Sequence, residues 1–503
     1  MASLEDLRAL ARTVHKNKIK NIHIIGQTTG DPTIFDRLYE SLIREDFDDN
    51  KLMQYLYGQP ENVQAYYKLK DRLAERLINT LFFIDTNASD KNSISAAYYN
   101  CYKNLCAIKI LLGKEARKPA ITLAKKTLKL STEFTFTDIT IEISKILRLH
   151  FGQHKGDLKK FEHYNKIIKS NLPIYQAELI AGEYYGHICS FYAKSNSLRR
   201  EIIPIIEKYL DELVVLNKKY FSYQLYIRTK SLQIIYYEID NNWGQILKTC
   251  QQITNYYSSH PQLASIALVS MTLLKKTQCL LFLRKFKEGE KVALEGLKSS
   301  PQGGRNWMFT LSVYYCLLLH SRQFQKARVA FETLTDYKDH AHLEMYKIHE
   351  AFIHYLIRIG KIKEAPEDKK LKPFRLGKFL NEVPVYSKDK RGSNITILIL
   401  QILFLLEDKK YDIIIDRAES LQSYSRRYLK DDETYRSNCF IKMLLCLPAA
   451  GFEKDEVLKK ARKYSDLLHA MPLEKAKQSP EVEVMPYEML WEFVIDSLSR
   501  HQK

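Results

Sequence analysis

The chain predicts an all-α fold, an α-solenoid of antiparallel helix hairpins with an N-terminal helical cap. Three observations carry that expectation. Apolar residues recur at i, i+3, i+4 and i+7 along almost the whole chain, with turn signals every 15–22 residues, the pattern of amphipathic helices. Glycine (17) and proline (14) are too scarce in 503 residues for the many tight turns of an all-β chain. The third observation is a repeat. Phe286, Gly289, Ala293, the Gly296-Leu297 pair and Pro301 outline one helix with a narrow small-residue face. That pattern returns 38 residues later at Phe324, Ala327 and Phe331, and fades at Ile362 and Ala365. A fixed period of this size marks stacked helical repeats, in which each unit buries its apolar face only against its neighbours.

Taken in order, residues 1–92 form a helical cap region. Ser3 is placed to cap a first helix, a β-branched stretch runs from Ile19 to Ile25, and a Gly26–Gly30 loop precedes helices near 32–45, 49–57 and 61–84. Residues 93–240 read as divergent hairpins, with helices near 94–114, 118–133, 137–153, 157–170, 173–195, 198–218 and 221–240. Residues 241–364 hold the clearest repeats, with helices near 243–257, 263–284, 286–299, 305–321, 324–336 and 342–360. A basic insertion occupies 365–393. Residues 394–503 return to hairpins near 394–408, 411–429, 433–448 and 452–470, with a capping helix near 485–499. Several turns share one form, in which two or three polar or small residues precede an aromatic that opens the next helix: Asn241-Asn242-Trp243, Arg284-Lys285-Phe286, Arg322-Gln323-Phe324, Lys409-Lys410-Tyr411 and Ala450-Gly451-Phe452.

The Phe286–Pro301 segment resembles the second helix of the tetratricopeptide family, with its aromatic opener, spaced small residues and closing proline; Phe324, Ala327 and Phe331 repeat the first part. First-helix positions are looser. Leu273 and Leu280 fit, whereas Lys276 and Thr277 stand where that family has Leu-Gly. The clear resemblance covers about 243–340, with weaker echoes to about 470. It implies a right-handed α-solenoid whose concave groove binds peptides or other proteins, and it implies no catalytic residues and no cofactor.

Composition narrows the function classes. Hydrophobic residues at 45% suffice for a substantial core, and 33 Tyr and 22 Phe suit inter-helix packing with phenol groups at a wet rim. The eight cysteines fall mainly in apolar helical stretches without any C-x-x-C pair, so metal ribbons and redox pairs find no support, and free buried thiols suit a reducing compartment. The N-terminus carries early acidic residues and no signal-peptide core. The longest apolar run, Ile395–Leu406, falls short of the roughly 20 residues needed to span a bilayer. The expected location is the cytoplasm. With 78 Lys and Arg against 59 Asp and Glu, the net charge of +19 keeps nucleic acid or an acidic partner in view.

The best candidate site is the basic insertion. Arg375 and Lys378 share a helical face, and Lys388, Lys390 and Arg391 cluster before Gly392 and the cap Ser393. Such a segment could meet carboxylates or phosphates, while Phe374, Phe379, Val383 and Val385 suit folding onto the array. A solvated connector is the plainer alternative. The Gly26-Gln-Thr-Thr-Gly30 loop lacks the Gly-Lys-Ser/Thr ending of a phosphate cradle. His349 and His354 are five residues apart and diverge on a helix; His150 and His154 have no third ligand near them in sequence. Cys101 and Cys106 lack an activating neighbour. Aromatic and basic residues interleave at Lys159–Lys166, Lys218–Phe221 and Tyr424–Tyr428, which could serve single-stranded nucleic acid as well as ordinary helix packing. The function expected is a non-enzymatic protein- or peptide-binding scaffold that uses its concave faces and the insertion. A nucleic-acid binder and a regulatory module of an enzyme complex are the alternatives.

Overall fold

One turn recurs along the chain, and it sets the register of the hairpins. Glu115, Thr135, Asn241, Arg284, Arg322, Gly360, Lys409 and Gly451 all have positive φ, between 51° and 72°. In each case the next amide closes back over the helix end: Asn242 N donates to the Tyr237 carbonyl, Lys285 N to Leu280, Gln323 N to Leu318, Lys361 N to Leu356 and Lys410 N to Leu405, at 2.8–3.0 Å. This six-to-one closure satisfies helix-end carbonyls and reverses the chain within a few residues. The turns at Arg284, Arg322 and Gly360 are spaced evenly at 38 residues, so the spacing persists in the turn where the side-chain pattern fades.

The computed structural model describes Leu4 and residues 33–44, 47–58, 63–83, 94–192, 201–337, 343–363, 374–382, 393–429, 434–476 and 482–501. All regular structure among them is helical. The chain divides into two compact units, Met1–Leu172 and Pro173–Lys503.

In the first unit, α1 (Ile34–Arg44), α2 (Asp49–Tyr57) and α3 (Val63–Leu81) enclose Leu38, Leu42, Leu52, Leu56, Leu73 and Leu77. Lys70 is buried there, and its ammonium is held 2.9 Å from Asp49, which also accepts from the Tyr66 hydroxyl. Next come α4 (Ile94–Gly113), α5 (Arg117–Glu133) and α6 (Thr137–Leu149), each packed on the next and α4 also on α6. A π turn, His150–His154, follows where the sequence predicts continued helix. Helix α7 (Leu158–Tyr192) begins in this unit and ends in the second. The sequence predicts a break at Pro173, yet the helix runs through it. Ile168 and Ala177 on either side are buried, and proline leaves one helix hydrogen bond unmade between them.

The second unit continues with α8 (Ile203–Lys219), α9 (Tyr223–Ile239), α10 (Trp243–Ser259), α11 (Ile266–Phe282), α12 (Phe286–Ser299), α13 (Arg305–His320), α14 (Phe324–Thr335) and α15 (Leu343–Arg358). After these come α16 (Leu376–Glu382), α17 (Ser393–Glu407), α18 (Tyr411–Tyr428), α19 (Tyr435–Ala449), α20 (Lys454–Ala470) and α21 (Tyr487–His501). From α8 to α15 each helix packs on the next, as do α17 to α21, and α11 packs on α13, α15 on α17 and α17 on α19. Phe452 differs from the expected opener: its own φ is positive, it stacks on Tyr411 with ring centroids 4.3 Å apart, and α20 begins two residues later.

The small face of α12 behaves as its spacing predicts. A Cβ on Gly289 would stand 2.5 Å from Leu317 Cδ1 and 3.3 Å from Leu280 Cβ, and one on Gly296 would meet Thr310 and Leu273 at 3.2 and 3.4 Å. Ala293 between them is fully buried. Glycine here allows α12 to lie close against both α11 and α13.

The C-terminal segment closes the unit. Arg436 on α19 is buried and donates to Glu483 at 2.7 and 2.9 Å and to both oxygens of Glu488 at 2.9 Å. Burial pushes the Glu483 carboxyl up, and Arg436 and the Tyr487 amide pull against that shift. Removing one partner of such a buried pair costs about 3–5 kcal/mol. His320 on α13 donates from Nε2 to the Glu483 carbonyl at 3.1 Å, and Thr396 on α17 donates to the Val482 carbonyl at 2.7 Å. Tyr487 stacks on Phe440 with centroids 4.7 Å apart, and Leu490, Phe493, Val494 and Leu498 are buried.

Three expected outcomes follow from this packing. Gly289→Val should destabilise by about 1–3 kcal/mol through overpacking, read by denaturant melts. Lys409→Gly should stabilise by about 0.5–1 kcal/mol, because an L side chain in the left-handed region is strained. Burial lowers His320 to about 4 and His349 to about 3 from 6.5. Both are neutral when folded, so the unfolded chain binds more protons below pH 6.5, and stability present above that value is lost as pH falls toward 4. At pH 5 each contributes a loss of about 2 kcal/mol. The melting temperature should therefore drop between pH 7.5 and 5, and His320→Gln should flatten the profile.

Candidate binding surface on helices α9 to α11

Part of the helical surface of the second unit is covered by the chain itself. Residues 482–501 contact α13, α17 and α19 and the turns that follow α13 and α15. Besides the Arg436 pairs, Arg322 donates to Glu492 at 2.6 and 2.8 Å, Lys361 lies 3.6 Å from Asp496, and Arg500 donates to Glu407 at 2.7 Å. Phe324 meets Phe493 edge to face with centroids 6.2 Å apart. The hairpins from 305 to 449 thus direct these helices toward their own C-terminal helix.

The basic insertion is anchored by its aromatic residues. Phe374 stacks on His354 and Phe404 with centroids 5.0 and 5.4 Å apart, and Phe379 is buried. Arg375 and Lys378 are exposed on this short stretch. Lys388, Lys390 and Arg391, like Val383, Val385 and the Gly26–Gly30 loop, lie outside the described residues.

Other candidates resolve into packing. Tyr164 is buried against Phe151 with centroids 5.6 Å apart, while Lys160 lies over Phe151 and pairs with Asp157 at 2.8 Å. His349 is buried beside Cys316 at 3.8 Å, and the His150 and His154 rings are 6.2 Å apart. Burial pushes the Cys101, Cys250 and Cys316 thiols up to about 12, which keeps them protonated at neutral pH. Among the described residues no group of three or more His, Cys, Asp or Glu could hold a metal ion, and no helix is long and apolar enough to cross a membrane.

One interleaved run does open outward. From Leu213 to Lys287 the chain holds ten Lys and Arg against only Glu238 and Asp240, and no carboxylate occurs from Asn241 to Lys287. The fold gathers part of that charge along α10. Lys230 on α9 donates to Gln252 Oε1 at 2.7 Å and to Gln233 Oε1 at 3.0 Å, and Lys276 on α11 donates to Gln251 Oε1 at 3.2 Å. Gln251 donates in turn to Asn255 Oδ1 at 2.9 Å. Lys248 sits three and four residues before these glutamines on the exposed face of α10. Three cations therefore surround a strip of neutral amides. An amide oxygen positions an ammonium without cancelling its charge, as a carboxylate would. Lys275, by contrast, is paired with Glu238. Burial pulls the Lys230 ammonium below its usual range, so an anionic ligand there would strengthen the charged form.

The strip ends in aromatic rings. Tyr226 stacks on Tyr256 with centroids 4.3 Å apart, and Tyr256 on His260 at 4.6 Å. His260 Nδ1 donates to the Tyr256 carbonyl at 3.1 Å. Phe221 leans on the His260 ring at 5.5 Å and remains 59% exposed. Burial and the neighbouring phenols push Tyr256 up to about 12. The rings of Tyr226, Tyr256 and His260 face one another, which leaves the Phe221 ring as the open apolar contact at this end.

Sequence reading singled out Lys218–Phe221 but not Lys230, Lys248 or Lys276. Their signal was the long carboxylate-free stretch, a deficit that is easily missed beside a visible cluster of cations. Comparison of the chain with protein-family models, with curated proteins and with solved structures finds no match.

Proposed function

We propose that this chain is a non-enzymatic, tetratricopeptide-like helical-repeat scaffold that docks an acidic polypeptide segment on the α9–α11 surface. The carrying observation is the set of Lys230, Lys248 and Lys276 near Gln251 and Gln252, with Lys230 and Lys276 positioned by these neutral acceptors and Lys248 exposed one turn away. In this reading the basic stretch with Arg375, Lys378, Lys388, Lys390 and Arg391 offers a second contact for the same kind of partner. Phe221 supplies an apolar anchor, as buried aromatic anchors do at other interfaces.

Single-stranded nucleic acid is the second reading, favoured by the nearness of rings and lysines. It needs several open ring faces for successive bases, whereas Tyr226, Tyr256 and His260 stack on one another. The observations therefore favour polypeptide.

Fluorescence anisotropy with a labelled oligoglutamate and a labelled oligothymidine, each titrated with salt, tests the reading. The expected result is glutamate-peptide binding that weakens with salt and falls at least tenfold in the K230E/K248E/K276E variant, with the circular-dichroism melt of that variant unchanged. Three ion pairs, at one exposed and two half-buried lysines, at about 0.5–1 kcal/mol each correspond to that loss. Tighter binding of oligothymidine with a steep salt slope would replace this reading with the nucleic-acid one.

A further inference from the structure

We infer that the partner segment on the α9–α11 surface is an amphipathic helix carrying carboxylates one turn apart, followed one turn later by an apolar residue. The inference rests on the acidic-polypeptide reading above and adds the conformation and spacing of the ligand.

Two independent observations support it. The first is the spacing of the site along α10. Lys248 sets one cationic level, and Lys230 and Lys276 set a second at Gln251 and Gln252. Tyr256, with Tyr226 and Phe221 beside it, sets an aromatic level one further turn along. Successive levels are four residues apart, or about 6 Å along the helix axis. A helix laid alongside α10 repeats its own side chains at that rise. Glutamates at i and i+4 would meet the two cationic levels, and an apolar side chain at i+8 would reach the rings.

The second observation is how the same unit holds its own C-terminal helix. On α21, Glu488, Glu492 and Asp496 also recur every four residues, and each meets a cation from a different part of the array: Arg436, Arg322 and Lys361. The apolar side chains Leu490, Phe493 and Val494 are buried between them. The array thus already recognises an acidic amphipathic helix through cations spaced by its hairpins. The α9–α11 surface presents the same chemistry, with Lys230, Lys248 and Lys276 as the cations and Phe221 as the open apolar contact.

The test uses the full chain and three labelled alanine-based peptides of equal charge. One carries Glu at i and i+4 with Phe at i+8; a second has the two Glu at i and i+2; a third is the first with proline between its glutamates to break the helix. Binding is read by anisotropy, and peptide helicity on binding by circular dichroism. The expected result is at least tenfold tighter binding of the first peptide than of the others, a gain of helix, and loss of that preference in K230E/K248E/K276E and in Phe221→Ala. Equal binding of all three peptides would overturn the helix inference and leave the acidic-polypeptide reading standing. Binding by none would overturn both. A preference that survives both substitutions would place the ligand elsewhere and overturn the inference.

Discussion

Each hairpin depends on reversing a helix within a few residues while leaving few of its end carbonyls unpaired. The left-handed residue at the turn meets that constraint. It lets the following amide return to the carbonyl five residues earlier, and the next helix then starts antiparallel and in contact. The side chains that follow must fit the distance so imposed. Between α11 and α13 this distance leaves no room for a Cβ at Gly289 without displacement of Leu317. Turn and small face are thus two parts of one geometric requirement.

The two parts differ in how openly the sequence shows them. The small face was legible, because a helix that approaches two neighbours closely must place Gly289, Ala293 and Gly296 at helical spacing. The turn was only half legible. Its aromatic opener could be seen in Trp243, Phe286, Phe324 and Tyr411, but six of the eight left-handed positions hold ordinary residues such as Arg284 and Lys409 in place of glycine. The reversal is compelled there by the packing of both helices, a tertiary cause that leaves no local mark. Pro173 is a second place where local preference and structure part: it predicts a break and the helix continues. Glu483 was illegible for a related reason: a carboxylate in a loop sequence gives no sign that Arg436, 47 residues earlier, will enclose it.

Charge shows the same contrast. A cluster of cations in the 365–393 stretch attracts the eye, while the α9–α11 surface is distinguished by what is missing from it. Gln252 and Gln251 accept the hydrogen bonds that orient Lys230 and Lys276, and as neutral amides they leave the field of those lysines uncancelled. In the C-terminal half the opposite solution appears, and Arg322, Arg436 and Lys361 are each answered by a carboxylate of the same chain. One unit therefore contains both a satisfied and an unsatisfied version of the same electrostatic arrangement.

The covering of α13, α17 and α19 by residues 482–501 also has a temporal side. Hairpin contacts join residues close in sequence and can form as each helix leaves the ribosome. The bonds from His320 to Glu483 and from Arg322 to Glu492 span 163 and 170 residues, so they wait on loop closure and on completed synthesis of the segment. Until then, apolar surface of these helices is open to solvent and to other chains. The contacts of residues 482–501 thus differ from hairpin contacts in when they can form, and the apolar surface they cover closes only once that long loop has closed.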